Sequence, residues 1–263
     1  ATLLAVSPAL AQHAHELIRF GHALQRNGRV SEAFAAYNRI TQLQPAFAEG
    51  WFEVGLAHQT AENLPAAVHA LETGLQLNPS ASHHLNAYGV VLQAAGRLAE
   101  ARSAYKRSLA WSPDQAETYF NLGTAHEAAG DLEAALSSYR TALALDPPDE
   151  ARVRNNIGGV LLAKGDLEAS LLSYSEAVEV EPDFADGHYN LGNVFLALGR
   201  HASAQTSLHK ALRLSPGHAK AHRKLEQVAA AVTTLTQQSF EEGEQLRFTQ
   251  VRLATRNFRL TIA

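Results

Sequence analysis

Three asparagine residues recur along the chain at almost constant spacing. They are Asn121, Asn156 and Asn190, and the second interval is one residue shorter than the first. A primary amide both donates and accepts hydrogen bonds, so a row of asparagines could hold the backbone of an extended peptide without reading its side chains. A second series recurs at a constant interval and would set polar specificity, and its members are Gln25, Gln59, Gln93 and Glu127.

Other reactive residue types lack the local arrangement that a catalytic or metal site needs. The chain has 13 histidines and no cysteine. His218 and His222 are four residues apart, but His218 adjoins Gly217 in a connecting turn and no third histidine lies near them in the sequence, so we expect no metal. No glycine-rich loop follows a strand, and no nucleophile elbow is present. The sequence therefore predicts no cofactor and no catalytic activity of its own.

The asparagines belong to a repeat that runs through most of the chain. A glycine recurs with a period of about 34 residues, and a proline follows each glycine at a constant distance. The pattern predicts two antiparallel helices in each unit, because the glycine lets the second helix approach the first closely and the proline ends the second helix. A turn glycine separates the two helices in five units, and the second unit has Glu62-Asn63 instead. The recurring glycines are Gly21, Gly55, Gly89, Gly123, Gly158 and Gly192, and the prolines are Pro45, Pro79, Pro113, Pro147, Pro182 and Pro216.

On these residues the chain resembles the tetratricopeptide-repeat (TPR) family. That family has a bulky residue, Leu-Gly, a turn, an alanine, an aromatic residue and a closing proline in each repeat. The resemblance covers residues 14–218. It implies an all-α solenoid, a right-handed superhelix of six helix-turn-helix repeats with a capping helix. The expected repeats are 14–47, 48–81, 82–115, 116–150, 151–184 and 185–218.

The resemblance also implies that the first helix of each repeat lines a concave groove that binds another polypeptide. Residues just before the recurring glycine, and three or four after it, would face this groove. The three asparagines resemble the ladder in the superhelix of the O-linked N-acetylglucosamine transferase, whose inward asparagines hold an extended chain. The alternative is that these amides only satisfy neighbouring helices. The other expected groove residues are Arg19 and Arg26, which are cationic, and Phe52, Phe120 and Tyr189, which are apolar.

A carboxylate clamp of the chaperone-adaptor type is not expected in the first two repeats. Arg19, His22 and Arg26 give the first repeat some positive character. The second repeat carries Glu49 and Glu53, which would repel an acidic tail.

The two ends of the chain differ from the repeats. Residues 1–13 are a lead-in, either the start of a helix or, over residues 1–12, a leftover targeting segment. Residues 219–238 continue the repeat pattern once and are expected to form the capping helix. Residues 239–263 alternate apolar with polar residues, which predicts an extended tail of β character or the start of a further domain.

Composition narrows the class of partner. The net charge is −4, which argues against nucleic-acid binding, and no apolar run is long enough to span a bilayer. We therefore expect a protein-binding scaffold or adaptor in the assembly of a multiprotein complex. The alternative is the substrate-recruiting N-terminal region of a larger enzyme, such as a glycosyltransferase. A cytoplasmic location is favoured unless residues 1–12 are a leftover signal.

Overall fold

The computed structural model describes residues 8–230, and within them every regular element is an α-helix. The predicted β tail, the first seven residues and the second part of the predicted capping helix lie outside this range. A last helix covers residues 219–230. The preceding helices are α1 (Pro8–Arg26), α2 (Val30–Leu43), α3 (Ala48–Thr60), α4 (Leu64–Leu77), α5 (Ser82–Ala94), α6 (Leu98–Trp111), α7 (Ala116–Ala128), α8 (Leu132–Ala144), α9 (Glu150–Ala163), α10 (Leu167–Val180), α11 (Ala185–Ala197) and α12 (His201–Leu214).

The turn inside each repeat explains where its first helix ends. The turn glycines of five repeats have φ between 70° and 82°, in the left-handed region that glycine adopts without steric cost. In the second repeat Glu62 takes this conformation, with φ 56°. Asn63 has another role, because its side chain accepts a hydrogen bond from the backbone N–H of Ala66 and caps the start of α4. Glu62 thus takes the conformation of the glycine that this turn lacks, and Asn63 caps the next helix as Asp131 and Asp166 do in repeats that keep the glycine.

The recurring glycine brings the two helices of a repeat together, as the sequence predicts. A Cβ atom on Gly123 would lie 2.6 Å from the ring of Tyr139 on the second helix. Tyr139 is itself fully buried. The glycine therefore makes room for the large residue that fills the centre of the repeat.

The described helices form two compact units. Unit 1 ends at Asp149 and contains α1 to α8, and unit 2 begins at Glu150 and contains α9 to α12 and the 219–230 helix. Within each unit, the first helices of successive repeats contact one another, as α3 contacts α5 and α9 contacts α11. None of the described helices combines the length and the apolar character needed to span a membrane.

Candidate functional site

The first helices of unit 2 border a pocket of about 350 Å³. Three of the predicted groove residues line it, namely Asn156 on α9 and Tyr189 and Asn190 on α11. We call it the unit 2 pocket. The sequence analysis did not assign its remaining lining residues to the groove, and they are Arg152, Asn155, Phe184, Asp186, His218 and Lys220.

The predicted asparagines form hydrogen bonds between successive repeats. In unit 2, Nδ2 of Asn190 donates to Oδ1 of Asn155 at 2.8 Å. In unit 1, Nδ2 of Asn121 donates to Oδ1 of Asn86 at 3.1 Å. We call these the amide pairs. Each pair joins residues that are 35 apart, one more than the repeat period, which is the signal that would have identified Asn86 and Asn155 from the sequence.

Asn156 lies beside the amide pair of unit 2. Its Oδ1 accepts from Nδ2 of Asn155 at 3.5 Å, at the limit of a hydrogen bond. Three amides, Asn155, Asn156 and Asn190, therefore meet in one pocket on two neighbouring helices.

Members of the second predicted row hold buried tyrosines. The hydroxyl of Tyr105 donates to Oε1 of Gln93 at 3.1 Å, and Nε2 of Gln93 donates to Thr124 of the next repeat at 3.1 Å. The hydroxyl of Tyr139 donates to Glu127 at 2.7 Å. These contacts give Gln93 and Glu127 a structural function that the sequence analysis did not assign to them.

The first repeat has the same bond between a tyrosine and a glutamine, and the second repeat lacks the tyrosine. The hydroxyl of Tyr37 donates to Oε1 of Gln25 at 3.2 Å, and burial raises the pKa of Tyr37 to about 12. In the second repeat Leu71 replaces the tyrosine, so no tyrosine hydroxyl is present at this position to donate a hydrogen bond to Oε1 of Gln59. Gln59 is half-buried on α3.

The predicted apolar groove contact at Phe52 is wrong. It is only 1% exposed, and its ring stacks on that of His84 with centroids 3.8 Å apart. Phe52 therefore belongs to the core between the second and third repeats and is not available to a partner. Phe120 and Tyr189, at equivalent positions, are half-buried. The ring of Tyr189 lies 4.7 Å from that of His218 in the unit 2 pocket.

The predicted cations of the first repeat lie at the surface of α1. Arg19 and Arg26 are exposed, and Arg26 borders a depression of about 560 Å³ together with His22 and Gln25. Nε2 of His22 lies 2.9 Å from Oε2 of Glu53. The sequence analysis considered Glu53 only as a source of repulsion, whereas the structure shows it joining the first two repeats.

His218 caps the last described helix. Its Nδ1 accepts a hydrogen bond from the backbone N–H of Ala221 at 3.1 Å. The proton of the neutral ring is then on Nε2, which donates to Oδ1 of Asp186 at 3.1 Å. This one ring thus satisfies a helix N-terminus and places a carboxylate at the edge of the unit 2 pocket.

Two further histidines replace a tryptophan of the repeat. The indole N–H of Trp51 donates to the carbonyl oxygen of Pro45 at 2.9 Å. Nε2 of His188 makes the same contact with Pro182 at 2.9 Å, and Nε2 of His222 with Pro216 at 2.9 Å. Within the part of the chain that the structure describes, no group of three or more histidine, aspartate or glutamate residues could hold a metal ion.

Comparison with known families and structures completes this description. Family models described as TPR repeat or tetratricopeptide repeat match residues 18–68, 79–147, 158–199 and 185–218. The chain belongs to the tetratricopeptide-repeat family. Its helix pairs, in-register glycines and closing prolines are those of a TPR solenoid. No curated protein matches the sequence.

Several solved TPR structures are similar to this chain. YrrB, described as a TPR protein with an unusual peptide-binding site, is 21% identical with a TM-score of 0.59, over 73% of this chain and 98% of YrrB. PilW, described as a widely conserved type IV pilus biogenesis factor, is 17% identical with a TM-score of 0.73, over 81% of this chain and 99% of PilW. PilF of Pseudomonas aeruginosa is 15% identical with a TM-score of 0.71, over 83% and 99%. At identities this low, the structural similarity establishes the shared fold alone.

Proposed function

We propose that this TPR protein is a scaffold that binds an extended segment of another protein on the face formed by its first helices, in the assembly of a multiprotein complex. The observation that carries the proposal is the convergence of Asn155, Asn156 and Asn190 in the unit 2 pocket. Membership of the TPR family supports a protein as the partner. YrrB, which has the same fold, is described as having a peptide-binding site.

The chemistry of the amides suits a peptide backbone. Asn190 uses one N–H of its amide on Asn155, which leaves its carbonyl oxygen and its second N–H for a ligand. Each residue of an extended chain offers one N–H and one C=O. An asparagine on a rigid helix can therefore hold a peptide unit at both groups, and the half-buried ring of Tyr189 gives the same pocket an apolar contact.

Unit 1 would contribute in the same way through its own amide pair. Asn121 and Asn86 lie on the first helices of the fourth and third repeats. Arg19 and Arg26 would add positive charge at the first repeat, with Gln25 beside them. We assign binding, and no catalytic step, to these residues.

A displayed library of random peptides, selected against the full chain, tests the proposal. We expect selected peptides to bind the Asn156→Ala/Asn190→Ala variant about tenfold more weakly, because two amides that each contribute about 0.5–1.5 kcal/mol are removed. Adding Asn121→Ala extends the test to unit 1. Circular dichroism should show unchanged helicity, because these side chains are not part of the helix backbone.

The matched control is Gln205→Ala, which removes an exposed amide from α12. It should leave the affinity unchanged. Selection of no peptide, or equal affinity of the double variant and the control, would show that this face does not bind polypeptides through its asparagines.

A further inference from the structure

We infer that the exposed face of α6 is a second binding surface of this protein, which takes an acidic segment of a partner protein that also carries a large apolar side chain. The surface consists of Arg102, Lys106, Arg107 and Trp111, and we call it the α6 patch. It lies on a second helix, whereas the proposed function assigns peptide binding to amides on the first helices. The inference therefore does not depend on that function.

The α6 patch carries positive charge that the folded chain does not neutralise. Lys106 and Arg107 are exposed, and Arg102 is half-buried. Among the described residues, none of the three forms an ion pair. The one carboxylate of α6 belongs to Glu100, whose Oε2 lies 2.6 Å from Nη2 of Arg97. Of the four second helices of unit 1, α6 is the one with a net positive charge.

Arg102 is a cation at a position where the adjacent repeats have a buried apolar side chain. The equivalent residues of the second and fourth repeats are Val68 and Leu136, which are 9% and 3% exposed. Arg102 also lies one turn before Lys106, and like charges at this spacing repel each other. Both features lower the stability of the repeat without local compensation, which is typical of residues that serve binding.

Trp111 adds an apolar contact to these charges. It is 60% exposed at the end of α6. Tryptophan is enriched at the energetic centres of protein interfaces, because its large ring contributes contact area at a low cost in conformational entropy. Trp111 lies one turn after Arg107, which borders a cavity of about 140 Å³ together with Tyr88. A partner that offers both carboxylates and a large apolar side chain could use the whole patch.

The four side chains define the spacing of the groups that the partner presents. Lys106 and Arg107 are adjacent, Arg102 lies one turn before Lys106, and Trp111 lies one turn after Arg107. At a rise of about 1.5 Å per residue, Arg102 and Trp111 are about 14 Å apart along the helix axis, a distance that about four residues of extended chain cover. Alternate residues of an extended chain point to the same side. Two carboxylates and one apolar side chain at alternate positions therefore match the patch.

The charges near the patch favour a protein segment over a nucleic acid. A single-stranded nucleic acid also presents anionic groups and rings that stack, but it binds along a continuous cationic groove. The chain has a net charge of −4, and Glu72 lines the cavity beside Arg107. A continuous row of phosphates would be repelled by Glu72, whereas two side-chain carboxylates can bind the cations without approaching it.

The fluorescence of Trp111 provides a local test. The chain has two tryptophans, so Trp51→Phe leaves Trp111 as the one reporter, and Leu85 and Tyr119 at the place of Trp51 in the next two repeats show that it is replaceable. A blocked nine-residue peptide with glutamates at its third and fifth positions and phenylalanine at its seventh, among serines, is titrated into this variant of the full chain. We expect a saturable shift of the emission to shorter wavelength. The affinity should be at least about tenfold higher than that of the same peptide with glutamines.

Two substitutions distinguish binding from a structural role. Arg107→Gln should weaken binding of the glutamate peptide about fivefold. Arg102→Leu should weaken it as much, yet leave the urea unfolding midpoint unchanged or raised, because this position is apolar and buried in the repeats on either side. Arg39→Gln is the matched control, since Arg39 is exposed and holds the place of Arg107 in the first repeat. It should leave the affinity unchanged.

Several results would overturn the inference. They are equal affinity for the two peptides, no saturable change with the glutamate peptide, no effect of Arg107→Gln, and a lower unfolding midpoint with unchanged affinity in Arg102→Leu. Tighter binding of a nine-nucleotide oligothymidine than of the glutamate peptide would show that the patch recognises nucleic acid instead. The Asn156→Ala/Asn190→Ala variant should bind the glutamate peptide normally, and a loss of affinity there would place this peptide at the amides.

Discussion

At the scale of single residues, we expect the hydroxyl of Tyr37 to have a measurable effect on stability. Tyr37 is almost fully buried, and burial raises its pKa from 10.0 to about 12. A group whose pKa is raised by folding contributes stability that is complete below the unfolded pKa and is lost as the pH rises through the folded pKa. We therefore expect the free energy of unfolding to fall between about pH 10 and pH 12.

The Tyr37→Phe variant identifies the residue responsible. It should cost about 1 kcal/mol near neutral pH, because the hydrogen bond to Gln25 is lost. Its stability should then fall less steeply over the alkaline range than that of the unchanged chain, as measured by urea unfolding at each pH. Tyr119→Phe, on the half-exposed face of α7, is the control. Parallel curves for the unchanged chain and Tyr37→Phe would refute the assignment.

The candidate site was predictable only in part. Asn121, Asn156 and Asn190 stand at a fixed distance from the recurring glycine, so their row could be recognised. Asn86 and Asn155 were missed because successive repeats meet with an offset of one residue, which a search at constant register does not detect.

Burial at single positions also depends on the neighbouring repeat. Phe52 and Phe120 occupy the same place in their repeats, yet Phe52 is 1% exposed beneath the stacked ring of His84, whereas Phe120 is half-buried. The residue that covers a side chain comes from a different repeat, so the sequence of one repeat does not determine whether that side chain is exposed.

At the scale of one helix, α9 contains two adjacent glycines with opposite environments. A Cβ atom on Gly158 would lie 2.8 Å from the ring of Tyr174. A Cβ atom on Gly159 would have Oη of Tyr174, 3.5 Å away, as its one close neighbour, which is an ordinary contact. Packing therefore requires glycine at position 158, whereas at position 159 glycine only lowers the stability of the helix.

Alanine at each position should therefore act in opposite directions. We expect Gly158→Ala to reduce stability by about 1–3 kcal/mol through overpacking, and Gly159→Ala to increase it by about 0.5–1 kcal/mol through helix propensity. Urea unfolding midpoints of the two variants provide the comparison. Effects of the same sign would contradict the packing shown by the structure.

The helical elements themselves were largely predictable. The glycine and proline rows are read directly from the chain, and each has a local steric consequence that does not depend on distant contacts. The turn at Asn63 shows what could not be predicted in this way. Where the second repeat has Glu62-Asn63 in place of a turn glycine, Asn63 caps α4 and Glu62 adopts the left-handed conformation.

At the scale of the whole molecule, the exposure of one repeat position differs between the first and the fourth repeat. Phe20 precedes the recurring glycine and is 57% exposed, whereas Leu122 at the same place in the fourth repeat is 6% exposed. In later repeats, the preceding repeat covers this position. Val54 of the second repeat, for example, is buried in a core that it shares with residues of the first repeat. Stability in such an array is a sum of neighbour contacts.

Equivalent truncations should therefore have unequal costs. We expect Leu122→Ala to reduce the free energy of unfolding by about 2–5 kcal/mol, and Phe20→Ala by less than about 1 kcal/mol. Chemical denaturation monitored by circular dichroism measures both. A loss at Phe20 as large as that at Leu122 would show that this face of the first repeat is covered in solution.

The amide pairs also bear on how firmly any ligand is held. The bond from Asn190 to Asn155 fixes the orientation of the Asn190 amide before any ligand arrives. A ligand that uses the carbonyl oxygen and the second N–H of Asn190 therefore does not have to order this side chain, which lowers the entropic cost of binding.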